Sequence, residues 1–286
     1  MGRTRSSRSA EVVAAERALL ADRGLVDDPF ARSMLGPSVG LLYRLARRAP
    51  GVIPTLPVTL AGLAARVRWH DDQVTSALDG GVDQVASIGA GYDSRAWRLR
   101  RDGVRSFELD DPATQATKVR RAPAAGPVYV PADLRTTDAA AALATAGLDL
   151  ARPVVVVLEG VTMYLTEADV RRTLYGLASA CAPGSVLTTD FYPPSDTGSS
   201  ADRRQTRLQD LARAGSGEAL RLLLDRDDAA SLVRECDWNV DGTMGMRAAA
   251  ALLPRGHGLP VERVNDRKTL LVASLGRPQD PTHGEV

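Results

Sequence analysis

Apolar residues in the first part of the chain recur at helical spacing. Ser9 is placed to cap a run from Ala10 to Leu20 that Gly24 closes. Asp28-Pro29 reads as a cap and a first-turn proline, opening a short helix through Leu35. Leu60, Leu63, Val67, Val74 and Leu78 then keep one helical stripe that stops at Gly80-Gly81. The pattern predicts a helical cap over residues 1–81, in one domain with the residues after it.

From Val82 the period changes. Val85 to Ile88 is a short apolar run ended by Gly89-Ala-Gly91, and the run from Val104 to Leu109 is followed by Asp110. Val128 to Val130 stops near Asp133-Leu134, and Val154 to Leu158 stops at Glu159-Gly160. Helices start between these runs, at Asp111-Pro112 and at Thr166, where Asp169 completes a capping box ahead of the stripe Val170, Leu174, Leu177 and Cys181. Pro183-Gly184 ends that helix, and Val186 to Asp190 reads as a fifth strand. Trp238 to Val240 and Thr269 to Leu275 are the last strand candidates. Fully apolar strands alternating with helices predict an α/β fold with a parallel sheet covered on both faces. The core is expected over residues 82–276, with an exposed insertion at 193–217 and a loose tail at 277–286. No repeat and no linker divides the chain into two cores.

Composition narrows the function classes. The 36 basic and 35 acidic residues leave a net charge of +1, without the basic excess that phosphate neutralisation demands, so no nucleic-acid partner is expected. The two cysteines, Cys181 and Cys236, form no CxxC and no zinc spacing and read as core residues of a reducing compartment. No apolar run approaches the ~18–20 residues of a membrane span, and the basic start lacks the apolar stretch of a signal peptide. A cytoplasmic protein without a membrane partner is expected.

In an open parallel sheet, ligands bind outside the carboxyl ends of the strands. Here four successive ends carry Gly89-Ala-Gly91, Asp110, Asp133 and Glu159. Each has a use for an adenosyl ligand. Glycines let backbone approach closely, Asp110 can accept from ribose hydroxyls, Asp133 can accept from an adenine amino group beside Leu134, and Glu159 can answer a positive charge. A nicotinamide dehydrogenase also uses a glycine turn and a second-strand acid, but its fingerprint wants Gly or Ala where this chain has Ser94. An acid cluster also suits a sulfonium cation better than a pyrophosphate.

Four segments carry a family resemblance: Gly89-Ala-Gly-Tyr-Asp-Ser-Arg-Ala-Trp-Arg-Leu99, Phe107-Glu-Leu-Asp-Asp-Pro112, Ala132-Asp-Leu-Arg135 and Glu159-Gly-Val-Thr-Met-Tyr-Leu165. In this order they resemble the leucine carboxyl methyltransferase family of class I S-adenosylmethionine enzymes, above all its bacterial branch, which includes polyketide carboxyl O-methyltransferases. The resemblance implies a Rossmann-like, seven-stranded, mostly parallel sheet with a reversed hairpin at one edge, and S-adenosyl-L-methionine as methyl donor. It puts the cofactor's glycine turn on Gly89, Ala90 and Gly91, its ribose acid on Asp110, its adenine pair on Asp133 and Leu134, and its strand-four acid on Glu159. It also implies two basic residues from the N-terminal helices on the cofactor's carboxylate, here Arg66 and Arg17. Two departures stand out. His70 occupies a position more often apolar in relatives, and residues 236–268 do not follow the branch's usual ending.

The acceptor is the open question. A carboxylate is already a nucleophile at neutral pH, whereas an alcohol or phenol gains from a base. His70 lies four residues after Arg66, on the same helical face, and is the candidate base; Tyr164 is the candidate for lining the acceptor pocket. No metal site is expected. The leading expectation is carboxyl O-methylation of a small metabolite, polyketide or peptide terminus. Hydroxyl O-methylation of a polyketide-like product and a non-catalytic S-adenosylmethionine-binding protein are the alternatives. Arg203, Arg204, Arg207 and Arg213 in the insertion read either as a lid guiding an acidic acceptor or as a solvated helix face. The partner is a small-molecule or peptide acceptor, and the protein is a monomer or a homodimer.

Overall fold

The computed structural model describes residues 7–49, 51, 53–194, 219–256, 258–266 and 268–276. The tail at 277–286 and nearly all of the insertion foreseen at 193–217, with its four arginines, lie outside the described residues.

The cap comprises α1 (Arg8–Ala21), a 3₁₀ helix (Ala31–Met34), α2 (Pro37–Arg48) and the long α3 (Leu56–Asp79). Then come β1 (Gln84–Ile88), α4 (Arg95–Arg98), β2 (Arg105–Asp110), α5 (Pro112–Arg121), β3 (Val128–Pro131), α6 (Ala139–Thr145) and β4 (Val155–Leu158). A 3₁₀ turn at Thr162–Tyr164 precedes α7 (Glu167–Ala180) and β5 (Val186–Phe191). The chain continues through α8 (Arg226–Glu235), β6 (Asn239–Gly245), α9 (Met246–Ala251) and β7 (Thr269–Ser274).

The strands form one seven-stranded sheet in the order β3-β2-β1-β4-β5-β7-β6. The first five are parallel, and β7 runs antiparallel to both β5 and β6. This is the expected α/β architecture with its reversed hairpin. Every residue of β1 and β4 is buried, because helices cover both faces there, so these strands need no polar alternation. On one face Phe107, Leu109, Leu143, Leu174 and Trp238 share a core. On the other, Val74 and Leu78 of α3 pack against Val85, Val155 and Val157. A third cluster joins Leu20, Leu60 and Leu63 of the cap to Met246 and Leu270. Cys181 and Cys236 are buried and free.

Two features of this topology position the site. Sequence order reverses between β1 and β4, which opens a crevice beyond their carboxyl ends. Because β7 is antiparallel, its first residue, Thr269, pairs with the last of β5, Phe191. The segment just before β7 therefore reaches the same rim as the ends of the parallel strands.

Several local expectations change. The N-cap of α1 is Ser7, whose side chain accepts from Ala10 N, while Ser9 Oγ bonds to Ser7 Oγ at 2.9 Å. The turn after Asp28-Pro29 is a single 3₁₀ turn. Asp28 Oδ1 accepts from Phe30 N and Ala31 N, and Pro37 begins a separate helix close behind. The strand expected at Trp238 to Val240 runs on to Gly245 through an irregularity between Val240 and Gly242. The capping box of Thr166 and Asp169 forms as the sequence predicts. Among the described residues no helix is long and apolar enough to cross a membrane.

Candidate functional site

The site is built on the turn after β1. Gly89 N and Ala90 N both donate to Leu109 O of β2, at 2.7 and 3.2 Å, which bends the chain across the strand end. Gly89 has φ +67° and Gly91 φ +49°, a region that side chains disfavour. At Gly89 the space is also closed, since a Cβ would lie 2.5 Å from Val161 Cγ2. Asp110, at the end of β2, accepts from Gly91 N through Oδ2 and from Asp111 N at 2.6 Å through Oδ1. Burial pushes its carboxyl up to about 6, although the two backbone N–H groups pull the other way.

Beyond these strand ends lies a cavity of about 860 Å³, between the sheet and the cap helices. The expected residues Arg17, Arg66, Gly89, Ala90, Gly91, Asp110, Asp133, Leu134, Glu159 and Tyr164 all line it. Leu134 is buried beside the exposed edge of Asp133. Asp133 is engaged by its neighbour. Arg135 Nε donates to Oδ1 at 2.8 Å and Nη2 to Oδ2 at 2.6 Å, and these bonds hold the carboxyl below its usual range.

Glu159 already faces positive charge, and that charge belongs to the protein. Arg66 Nε donates to its Oε1 at 2.7 Å and Arg95 Nη2 to its Oε2 at 2.5 Å. Arg95 Nε also donates to Asp71 Oδ1 at 2.6 Å, and its Nη1 to Asp93 Oδ2 at 2.9 Å. Burial alone would raise the Glu159 carboxyl, but Arg95 and Arg66 outweigh it and hold it well below the carboxylate range. Arg66 Nη1 lies 3.9 Å from the buried Asp190 Oδ2. Arg17 is tied in differently. It donates to Tyr92 O in the glycine turn, and its Nε lies 3.0 Å from Asp28 Oδ2, which also accepts from Ser94 Oγ. Thus α1 is pinned over the turn, and Arg17 does not join the Arg66–Glu159 pair.

His70 is the exception among the expected site residues: it does not line the cavity. It is fully buried, its Nδ1 is 2.8 Å from Thr188 Oγ1 in the middle of β5, and burial lowers its pKa to about 4 despite Glu159 and Asp190. The reason is the direction of α3. Its later residues Val74 and Leu78 pack near the beginnings of β1 and β4, so the helix descends from the rim towards the base of the sheet. One turn past Arg66, a ~5.4 Å step carries His70 below the cavity floor. The candidate base is therefore neutral and sealed from an acceptor. Trp97 packs against Phe30, with ring centroids 5.9 Å apart, as a core aromatic.

Other functional candidates were not singled out by sequence reasoning. Arg95 lies inside the resembling segment, but nothing in its spacing shows that it turns back onto Glu159. At the opposite end of the rim, Tyr192, Asn265 and Lys268 line the cavity together with Arg221. Lys268 Nζ lies 4.5 Å from the centre of the Tyr192 ring. Asn265 is 7% exposed, and its Nδ2 has no hydrogen-bond partner. Leu56, Leu63, Met163 and Met246 add an apolar wall.

Comparison with known proteins agrees with this architecture. The profile of the leucine carboxyl methyltransferase family matches residues 10–178. A Frankia alni protein assigned as an S-adenosyl-L-methionine-dependent methyltransferase is 31% identical over 277 residues, covering 90% of this chain and 88% of its own. A Mycobacterium avium protein with the same assignment is 34% identical over 204 residues, 65% of this chain and 66% of its own length. In fold, the chain is similar to the crystal structure of a DUF574-family protein from Streptomyces avermitilis (TM-score 0.62, 17% identity, 96% and 98% of the two chains). It is also similar to that of a Thermobifida fusca protein assigned as a methyltransferase (TM-score 0.60, 18% identity, 96% of each chain).

The cavity suits S-adenosylmethionine on its own geometry. A turn with no room for a side chain exposes its backbone at Gly89, a half-buried carboxylate at Asp110 lines the cavity where vicinal hydroxyls would sit, and Leu134 offers an apolar surface next to Asp133. With this site, this sheet and a profile match over more than half its length, the chain belongs to the leucine carboxyl methyltransferase family, whose members are S-adenosylmethionine-dependent methyltransferases.

Proposed function

We propose that this protein methylates a carboxylate oxygen of a small metabolite, a polyketide or a peptide terminus. The observation that carries this reading is the polarity of the cavity. Its lining carboxylates come from α1 and from the ends of β1 to β4, where Arg17, Arg66, Arg95 and Arg135 line it beside them, whereas the β5–β7 end is lined by Lys268, Arg221 and Asn265 with no lining carboxylate among the described residues. An anionic acceptor is drawn to that end. With a free pKa near ~4 it is a nucleophile as it stands, and needs alignment and partial loss of water rather than a general base. The state of His70 supports this, since an imidazole sealed under the cavity floor, its basicity lowered by burial, takes no proton from an acceptor. Glu159, held ionised between two guanidinium groups, is a weak base.

When bound, S-adenosylmethionine supplies an electrophilic methyl group, its carbon–sulfur bond being the one that breaks, with S-adenosylhomocysteine left behind. The rest falls to the chain. Backbone of Gly89 to Gly91 would support the nucleoside, Asp110 would accept from its ribose hydroxyls, and Asp133 with Leu134 would flank its base. Arg66 and Arg17 would face its carboxylate, with Arg66 kept in line by Glu159. Tyr164, in the turn after β4, would line the acceptor side.

The test is a transfer assay with radiolabelled methyl on the cofactor and a panel of carboxylic acids and their matched alcohols. Label that mild base releases marks an ester and is the expected result. Label that resists base marks an ether and overturns the carboxyl reading.

A further inference from the structure

We infer that the outward face of α2 is a membrane-docking surface, which seats the protein on an anionic lipid bilayer with the mouth of its cavity towards the headgroups. The inference goes beyond methyl transfer and holds whichever oxygen is methylated.

The helix is divided lengthwise. Tyr43 and Ala46 are buried, and the Tyr43 hydroxyl donates to Asp22 Oδ2 at 2.7 Å, which fixes the inner side on α1 and the turn after it. Leu41, Arg44, Leu45 and Arg48 have the i, i+3, i+4, i+7 spacing of one face, and all four are exposed. Leu41, Leu42 and Leu45 are 51%, 60% and 53% exposed, and neighbouring leucines left in water mark a contact surface where single ones would not. At ~100° per residue the leucines gather along one edge of that face and the arginines along the other.

The leucine edge is the one beside the cavity. Leu42 lines it, as do Ile53, 44% exposed, and Val12 of α1, 46% exposed. The apolar edge of α2 therefore runs on into the mouth.

Charge selects the occupant. Between Asp28 and Asp71 the sequence has six arginines and no acidic residue. Arg32 and Arg47 share the carboxylate of Asp22, and among the described residues Arg44 and Arg48 have no ion-pair partner. An anionic bilayer answers both edges at once, since acyl chains take up the leucines and lipid phosphates pair with the guanidinium groups. A second copy docked through the same face would set these arginines against their own counterparts, a like-charge contact. A helix of this kind lies along the headgroups and needs no spanning run, so the expectation of no membrane partner does not reach it.

The experiment is flotation of the full chain with vesicles of phosphatidylcholine mixed with phosphatidylglycerol, and with vesicles of phosphatidylcholine alone. Wild type is expected to float with the mixed vesicles at low salt. Its affinity should fall about tenfold or more on phosphatidylcholine alone, and likewise at ~1 M salt, where the Debye length is ~3 Å. Leu41→Ser with Leu45→Ser, and separately Arg44→Gln with Arg48→Gln, should each weaken binding to the mixed vesicles about tenfold or more. None of these four residues lines the cavity, so S-adenosylhomocysteine affinity within about twofold of wild type verifies that the variants fold. Binding to the mixed vesicles that either double variant retains within about twofold overturns the inference, and so does equal wild-type binding to both kinds of vesicle. Wild type that binds neither also overturns it. In that case a dimer in sedimentation velocity that Leu41→Ser with Leu45→Ser dissociates assigns the face to a second copy.

Discussion

Arg95 Nη2 lies 2.5 Å from Glu159 Oε2, and the same guanidinium reaches Asp71 on α3 and Asp93 in the turn after β1. One side chain thus clips together the end of β4, the glycine turn and the helix that carries Arg66. The strand-four acid is answered from within the protein, and its orientation fixes Arg66 at the rim.

That clip is a stability element. Arg95 is nearly fully buried, so Arg95→Met strands Glu159, Asp71 and Asp93 without their shared partner. The expected loss is ~3–5 kcal/mol, the usual cost of removing one member of a buried ion pair. Arg95→Lys keeps a charge but not the fork, and should fall between that variant and wild type. Urea unfolding at neutral pH measures both.

A second buried pair is informative through its double variant. Glu108 Oε2 and Lys118 Nζ are 2.5 Å apart, and burial pushes the Glu108 carboxyl up to about 7 against the pull of Lys118. Lys118→Met alone should cost ~3–5 kcal/mol, whereas Glu108→Leu with Lys118→Met should lie within ~1 kcal/mol of wild type or above it. A double variant as unstable as the single one contradicts this.

His70 predicts a pH dependence. Its folded pKa of about 4 is below the ordinary 6.5, so the unfolded chain binds the proton more readily between these values. Its contribution is fully present above about pH 6.5 and is lost as the pH falls towards 4. The full difference amounts to ~3 kcal/mol. Asp110 and Glu108, with raised pKa values, act in the opposite sense over an overlapping range, so the comparison must be with His70→Gln. The difference in unfolding free energy between wild type and this variant should shrink with acidification. A constant difference from pH 7 to pH 5 would show that His70 does not titrate this way.

At the glycine turn, Gly89→Ala combines a positive φ with a methyl group 2.5 Å from Val161 Cγ2. Overpacking of this kind costs ~1–3 kcal/mol, and a left-handed alanine adds ~1–2 kcal/mol. Adding Val161→Ala should recover the overpacking part and leave the backbone part. Thermal unfolding of the single and double variants separates the two.

The strands were readable along the chain because a parallel sheet covered on both faces is made of unbroken apolar runs, as in Val154 to Leu158, and Gly, Asp and Glu mark where each run stops. Those stops brought Gly89, Asp110, Asp133 and Glu159 to one rim. What local pattern could not carry was direction. His70 and Arg66 share a helical face, but only the packing of Val74 and Leu78 near the strand bases shows that α3 descends and takes His70 out of reach. Asn265 lay hidden for a related reason. Its arrival at the rim depends on β7 running backwards beside β5, a pairing between segments far apart in sequence. Arg95 was visible as a residue, but its turn onto Glu159 emerges only once β1 and β4 are neighbours.

The most direct measurement is a calorimetric titration of wild type and Asp110→Ala with S-adenosylhomocysteine at pH 7. Wild type should bind it, and removal of the carboxylate proposed to accept from the ribose hydroxyls should weaken binding about tenfold or more. Affinity unchanged to within about twofold in Asp110→Ala would contradict the seat of the nucleoside on this rim.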